Sequence, residues 1–92
     1  VLALRPAKLP ESIAWKGRGM ALTGMGKNEE AIKCCDRSLS IDPGSPKVWD
    51  LRARCLYTLG KYKEAMLSCD KALEIDPHDG LARKIKEAAR KA

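Results

Sequence analysis

Residues 12–45, SIAWKGRGMALTGMGKNEEAIKCCDRSLSIDPGS, can be laid over residues 46–79, PKVWDLRARCLYTLGKYKEAMLSCDKALEIDPHD, without a gap. Trp15 falls on Trp49, Arg18 on Arg52 and Leu22 on Leu56. Gly26-Lys27 falls on Gly60-Lys61, Glu30-Ala31 on Glu64-Ala65, Cys35-Asp36 on Cys69-Asp70, and Ile41-Asp42-Pro43 on Ile75-Asp76-Pro77. A sequence that returns to itself every 34 residues reads as a stack of equivalent units, each burying its apolar side against the next. Residues 1–11 precede the two copies and residues 80–92 follow them.

Each copy reads as two helices. From about Glu11 to Met25, Ile13/Ala14, Trp15, Arg18/Gly19 and Leu22 recur at steps of three and four, which places them on one helical face. Gly26 follows, where a helix end favours a residue at ease with positive φ. Asn28 or Lys27 opens the second helix, whose apolar face is Ala31, Ile32, Cys35 and Leu39. Asp42-Pro43 ends it, because a proline pushes the residue before it out of the helical region. The second copy repeats the plan, with Ser45-Pro46 as cap and first-turn proline, Gly60 at the turn and Asp76-Pro77 at the stop. Beyond it, Leu81, Ile85 and Ala88/Ala89 form one apolar stripe in 80–92, a helix suited to covering the last repeat.

These units resemble the tetratricopeptide repeat family. The resemblance rests on Trp15, Gly19, Leu22, Gly26, Ala31, Cys35, Ser38 and Pro43, and on Trp49, Ala53, Leu56, Gly60, Ala65, Cys69, Ala72 and Pro77. Arg18 and Arg52 depart from it, standing where the family usually has leucine, and cysteine replaces an aromatic in both second helices. The fold it implies is all-α, a right-handed α-α superhelix (solenoid) of two helix-turn-helix units, 12–45 and 46–79, with 80–92 as a C-terminal capping helix. At the other end, L-A-L-R-P (2–6) looks like L-S-I-D-P (39–43) and L-E-I-D-P (73–77). Residues 1–11 therefore read as the tail of an upstream repeat plus a linker, and the chain as a fragment of a longer array. An edge exposed by the missing repeat favours self-association.

Composition narrows the function. No apolar run approaches the ~18 residues that span a bilayer, and V-L-A-L-R-P lacks the basic-then-apolar pattern of a secretory leader. Four cysteines without a C-x-x-C, beside a single histidine, assemble neither a disulfide framework nor a zinc site. They read as reduced, mostly buried small hydrophobes, which fits a cytoplasmic protein. Cys34, adjacent to core Cys35 but about 100° away around the helix, is expected to be partly exposed. His78 sits in a turn, Asp36 and Asp70 recur as repeat positions, and the glycines at 17, 19, 24 and 26 lie on a helix rather than after a strand. The reading is a non-enzyme without metal or cofactor.

The net charge of +6 is concentrated: residues 80–92 carry Arg83, Lys84, Lys86, Arg90 and Lys91 against Glu87. A polyanion or nucleic-acid surface on this helix is the alternative function, although no aromatic is interleaved to stack a base. The main reading is a protein–protein interaction module, a scaffold or adaptor. By the resemblance, first helices line a concave groove that holds a peptide. The groove positions are Lys16, Met20, Thr23, Lys47, Asp50, Leu51, Arg54, Tyr57 and Lys84, flanked by Ile13, Gly17, Gly24, Thr58, Leu81 and Ile85. Cations beside apolar groups suit a ligand with acidic groups and apolar anchors. One branch of the family grips chaperone C-terminal carboxylates with Lys, Asn and Arg. Here Lys16 matches, but Met20 and Leu51 replace the two Asn, and Leu81 and Ile85 replace the last Lys and Arg, so a chaperone-tail grip of that kind is not expected.

Overall fold

A computed structural model describes the backbone of residues 4–92 and the side chains of residues 11–92. Five helices follow one another: α1 (Leu4–Gly24), α2 (Asn28–Ile41), α3 (Pro46–Thr58), α4 (Tyr62–Ile75) and α5 (Gly80–Lys91). Consecutive helices pack as antiparallel neighbours, α1 on α2 and α3 on α4, while α2 meets α3 and α4 meets α5. The result is a slab of 46 × 29 × 16 Å.

The turns form where glycine permits them. Gly26 and Gly60 take φ of 80° and 82°, a region that costs a side chain steric strain and costs glycine none. Both Asp-Pro pairs lie just past a helix, which ends at Ile41 or Ile75. Pro46 holds the first turn of α3 with Ser45 at its N-cap, but the Ser45 side chain makes no capping bond. The side-chain cap falls instead on Asp79, whose carboxylate accepts the Ala82 N–H at 3.1 Å and opens α5.

α1 begins at Leu4, seven residues before Glu11. Pro6 lies in the first turn, where its N–H would have no partner within the helix, and α1 continues through Pro10 without the N–H that would have bonded to the Pro6 carbonyl. The reading of Val1–Pro6 as the end of an upstream repeat lies outside the residues whose side chains are described.

Among the described residues, two small clusters stand out in the core. Cys35, Leu39, Val48 and Leu51 form one, and Ala53, Cys69, Ala72, Ala82 and Ile85 the other. Trp49 packs against both, and its indole N–H donates to the Pro43 carbonyl at 2.9 Å. Small residues let the helices approach closely: a Cβ on Gly19 would lie 3.4 Å from the Cβ of Cys34 and from Leu51 Cδ2. That approach corrects the expectation for Cys34, which is 6% exposed and as much part of the core as Cys35. Ser12 and Ser38 are buried together across α1 and α2, the Ser38 hydroxyl donating to the Ser12 carbonyl at 2.9 Å and the Ser12 hydroxyl to the Ser38 carbonyl at 3.2 Å.

The two family departures have structural roles. Arg52 donates through Nε to Asp36 at 2.8 Å and through a terminal nitrogen to the Ser68 hydroxyl at 2.7 Å, lacing α3 to both α2 and α4. Arg18 lies over the Trp15 ring at 5.1 Å, with Arg37 at 5.6 Å, a cation–π arrangement on the outer face of the first hairpin.

Candidate functional site

Because α1, α3 and α5 are the odd members of the stack, their outer faces lie side by side, and α3 touches both of the others. Between them is a groove of about 500 Å³. Lys16 and Met20 come from α1; Pro46, Lys47, Asp50, Leu51 and Arg54 from α3; Leu81 from α5; Asp76 and Asp79 from the segment before α5. No residue of α2 or α4 lines it. Six of the nine positions named from sequence, Lys16, Met20, Lys47, Asp50, Leu51 and Arg54, thus face one concavity.

The other three lie elsewhere. Thr23 turns inward, its hydroxyl donating to the Gly19 carbonyl at 2.9 Å and lying 3.2 Å from Cys55 Sγ. Tyr57 packs edge-on against Tyr62, with ring centroids 5.3 Å apart. Lys84 is exposed on α5 and does not line the groove. Ile85, placed on the groove by its repeat position, belongs to the second core cluster, because α5 docks that face onto α3 and α4.

The groove is divided by charge. Lys16, Lys47 and Arg54 are its cations, and Met20, at 57% exposed, offers an apolar contact above buried Leu51. Asp50, Asp76 and Asp79 are its anions. Asp50 is only 6% exposed, and its Oδ1 is buried without a hydrogen-bond partner. Burial, then a shared hydrogen bond with Asp79 and the charges of Asp79 and Asp76, pushes the Asp50 carboxyl up to about 8. The carboxyl is therefore mostly protonated at neutral pH. Asp76 and Asp79 escaped the sequence reading because only the docking of α5 carries them to the groove. Their one legible signal was Asp79 standing three residues before Ala82, as a helix cap does.

On α5, Arg83 donates to the Pro77 carbonyl at 2.9 Å, Lys86 pairs with Asp70 at 2.6 Å, and Arg90 pairs with Glu87 at 2.7 Å. Three of the five cations on this helix are thereby held by neighbours within the chain. Among the described residues no set of His, Cys, Asp or Glu is arranged to hold a metal ion, and no helix is long and apolar enough to cross a membrane.

Stacked helical hairpins with a concave face lined by alternate helices define a repeat solenoid, a protein-interaction fold. The chain belongs to the tetratricopeptide repeat family, whose pattern matches residues 14–90. Among curated proteins, no sequence matches it. Among solved structures it is similar to the second such domain of Spaghetti (RPAP3) bound to the HSP90 peptide SRMEEVD, at 28% identity and TM-score 0.93, covering 97% of this chain and 82% of that one. It is similar also to the second domain of human RPAP3 in complex with the HSP70 peptide SGPTIEEVD, at 28% identity and TM-score 0.88, covering 91% of this chain and 70% of that one. The Arabidopsis OM64 domain, at 20% identity and TM-score 0.90 over 91% of this chain and 69% of that one, shares the fold.

Proposed function

We propose that this chain is a peptide-binding adaptor module that holds an acidic, partly apolar segment of a partner protein along the α1–α3–α5 groove. The observation that carries the reading is the convergence of Lys16, Lys47 and Arg54 on one concavity beside Met20, Leu51 and Leu81. Carboxylates of the ligand pair with the three cations, and its apolar side chains cover Met20 and Leu81. The peptides held by the similar domains, SRMEEVD and SGPTIEEVD, have this acidic character. With Met20 and Leu51 at the positions where an asparagine clamp grips a terminal carboxylate, recognition here rests on side-chain carboxylates rather than on the chain end. The four cysteines serve as buried small apolar groups, which suits a reducing cytoplasm.

Fluorescence anisotropy with labelled SRMEEVD tests this. Lys16→Glu with Arg54→Glu is expected to weaken binding at least tenfold, and added salt to weaken it in the native protein. Amidating the peptide's C-terminus is expected to change affinity less than threefold. Binding that ignores the charge reversals, or that vanishes on amidation, would overturn the reading.

A further inference from the structure

The groove holds a feature that an acidic ligand does not use. Lys16, Asp50 and the exposed Lys84 occupy the same position in three successive first helices, so the sign of charge reverses at the middle one. Asp50 is the most deeply set of the three acids, 6% exposed, with Oδ1 lacking any partner although the residue lines the groove. Asp76 and Asp79 stand with it. Their orientations are set in advance: Asp76 accepts the His78 N–H at 3.0 Å and Asp79 accepts the Ala82 N–H at 3.1 Å. The cations that share the groove are Lys16 from α1 and Lys47 and Arg54 from α3, and none forms an ion pair with these three acids. A buried acceptor left unpaired costs stability, and the Asp76 and Asp79 carboxylates beside it make ionising Asp50 costlier still.

Building on the groove reading above, we propose that Asp50, Asp76 and Asp79 form a receptor for a basic side chain, the guanidinium or ammonium of an arginine or lysine in the bound segment. The donors of such a group satisfy Oδ1 of Asp50, and its charge offsets that of Asp76 and Asp79 and of Asp50 once ionised. No cluster suited to a metal exists among the described residues, so an organic cation is the chemistry that fits. The ligand is then bipolar, acidic along Lys16, Lys47 and Arg54 and basic at the start of α5. Because Asp50 holds its proton at neutral pH, the cation displaces it: neutral Asp50 plus the basic side chain gives an ion pair and one proton released to solvent. Affinity for the basic group therefore rises with pH up to about 8.

The test uses carboxyl-detected NMR on the full chain, with N-acetyl-arginine amide and N-acetyl-lysine amide as probes and N-acetyl-glutamine amide as the neutral control. The two cationic compounds are expected to lower the Asp50 midpoint and to shift Asp76 and Asp79. Each unit of lowering corresponds to about tenfold preference for the ionised carboxylate. The larger response identifies whether guanidinium or ammonium is preferred, and Asp50→Asn is expected to abolish most of the shift at Asp79. If SRMEEVD binding is weakened by Lys16→Glu with Arg54→Glu while both cationic compounds leave Asp50 unmoved, the cation receptor is refuted and the acidic-ligand reading stands. If the cationic compounds act and SRMEEVD does not, the receptor stands and the acidic-ligand reading is refuted.

Discussion

Asparagine at position 50 keeps the shape of the aspartate and removes its titration, so Asp50→Asn isolates the effect of that one carboxyl on folding. In the unfolded chain the group loses its proton near pH 3.8, and in the folded protein only near 8. Below both values the two states carry the same proton and the carboxyl is neutral to stability. Between them the unfolded state ionises while the native state does not, and stability falls by about 1.4 kcal/mol per pH unit. From pH 5 to pH 7 that is about 3 kcal/mol, a large share of the 5–15 kcal/mol typical of a small domain. Above about 8 the loss levels off. Other shifted groups titrate outside this window: burial raises Cys35 to about 12 and Cys69 to about 11, while Arg90 lowers Glu87. Urea unfolding midpoints at pH 5, 6, 7 and 8, followed by far-UV circular dichroism, are expected to drop steadily for the native sequence and to stay nearly level for Asp50→Asn. Parallel curves for the two proteins would refute the burial argument, because the pH dependence would then arise elsewhere.

Gly17 has open space around its Cα, so Gly17→Ala is expected to stabilise α1 by about 1 kcal/mol, read as a rise in thermal midpoint. At Gly19, Ala is expected to be accommodated at ordinary contact distance, whereas Gly19→Leu forces α1 away from Cys34 and Leu51 and costs about 1–3 kcal/mol in denaturant unfolding. Arg52→Ala is expected to cost about 1–2 kcal/mol by leaving the buried Ser68 hydroxyl and Asp36 without their partner; Arg52→Lys, which cannot reach both, should recover less than half of that loss. Cys34 is expected to react with a thiol reagent only as fast as the protein opens, so its labelling rate should follow urea concentration rather than reagent exposure.

The hairpins were legible because their signals are local and doubled. Glycine at positive φ and Asp-Pro stops recur in both copies, so each supports the other. The groove positions came from the family resemblance, and six of the nine line one concavity in the structure. What escaped depends on how helices approach one another. Burial of Cys34 follows from the bare backbone of Gly19 one helix away. Its repeat equivalent, Ser68, is also buried, a signal available in the alignment of the two copies. Tyr57 left the groove for Tyr62, and Ile85 for the core, through contacts that spacing does not encode. The raised titration of Asp50 is likewise a property of the docked α5, whose cap carries Asp79 beside it.

Among the described residues, Trp49 packs against both core clusters, and it is only partly buried. The indole shares the join between the hairpins with Arg52, which bonds to Asp36 on one side and Ser68 on the other. Trp15 lies on the outer face of the first hairpin, between two guanidinium groups, so replacing it with phenylalanine leaves Trp49 as the sole indole fluorophore. Its emission then reports the joint between hairpins alone. Trp49 does not line the α1–α3–α5 groove, so a change in its emission on ligand binding would mean that occupancy of the groove is felt at the packing between the hairpins.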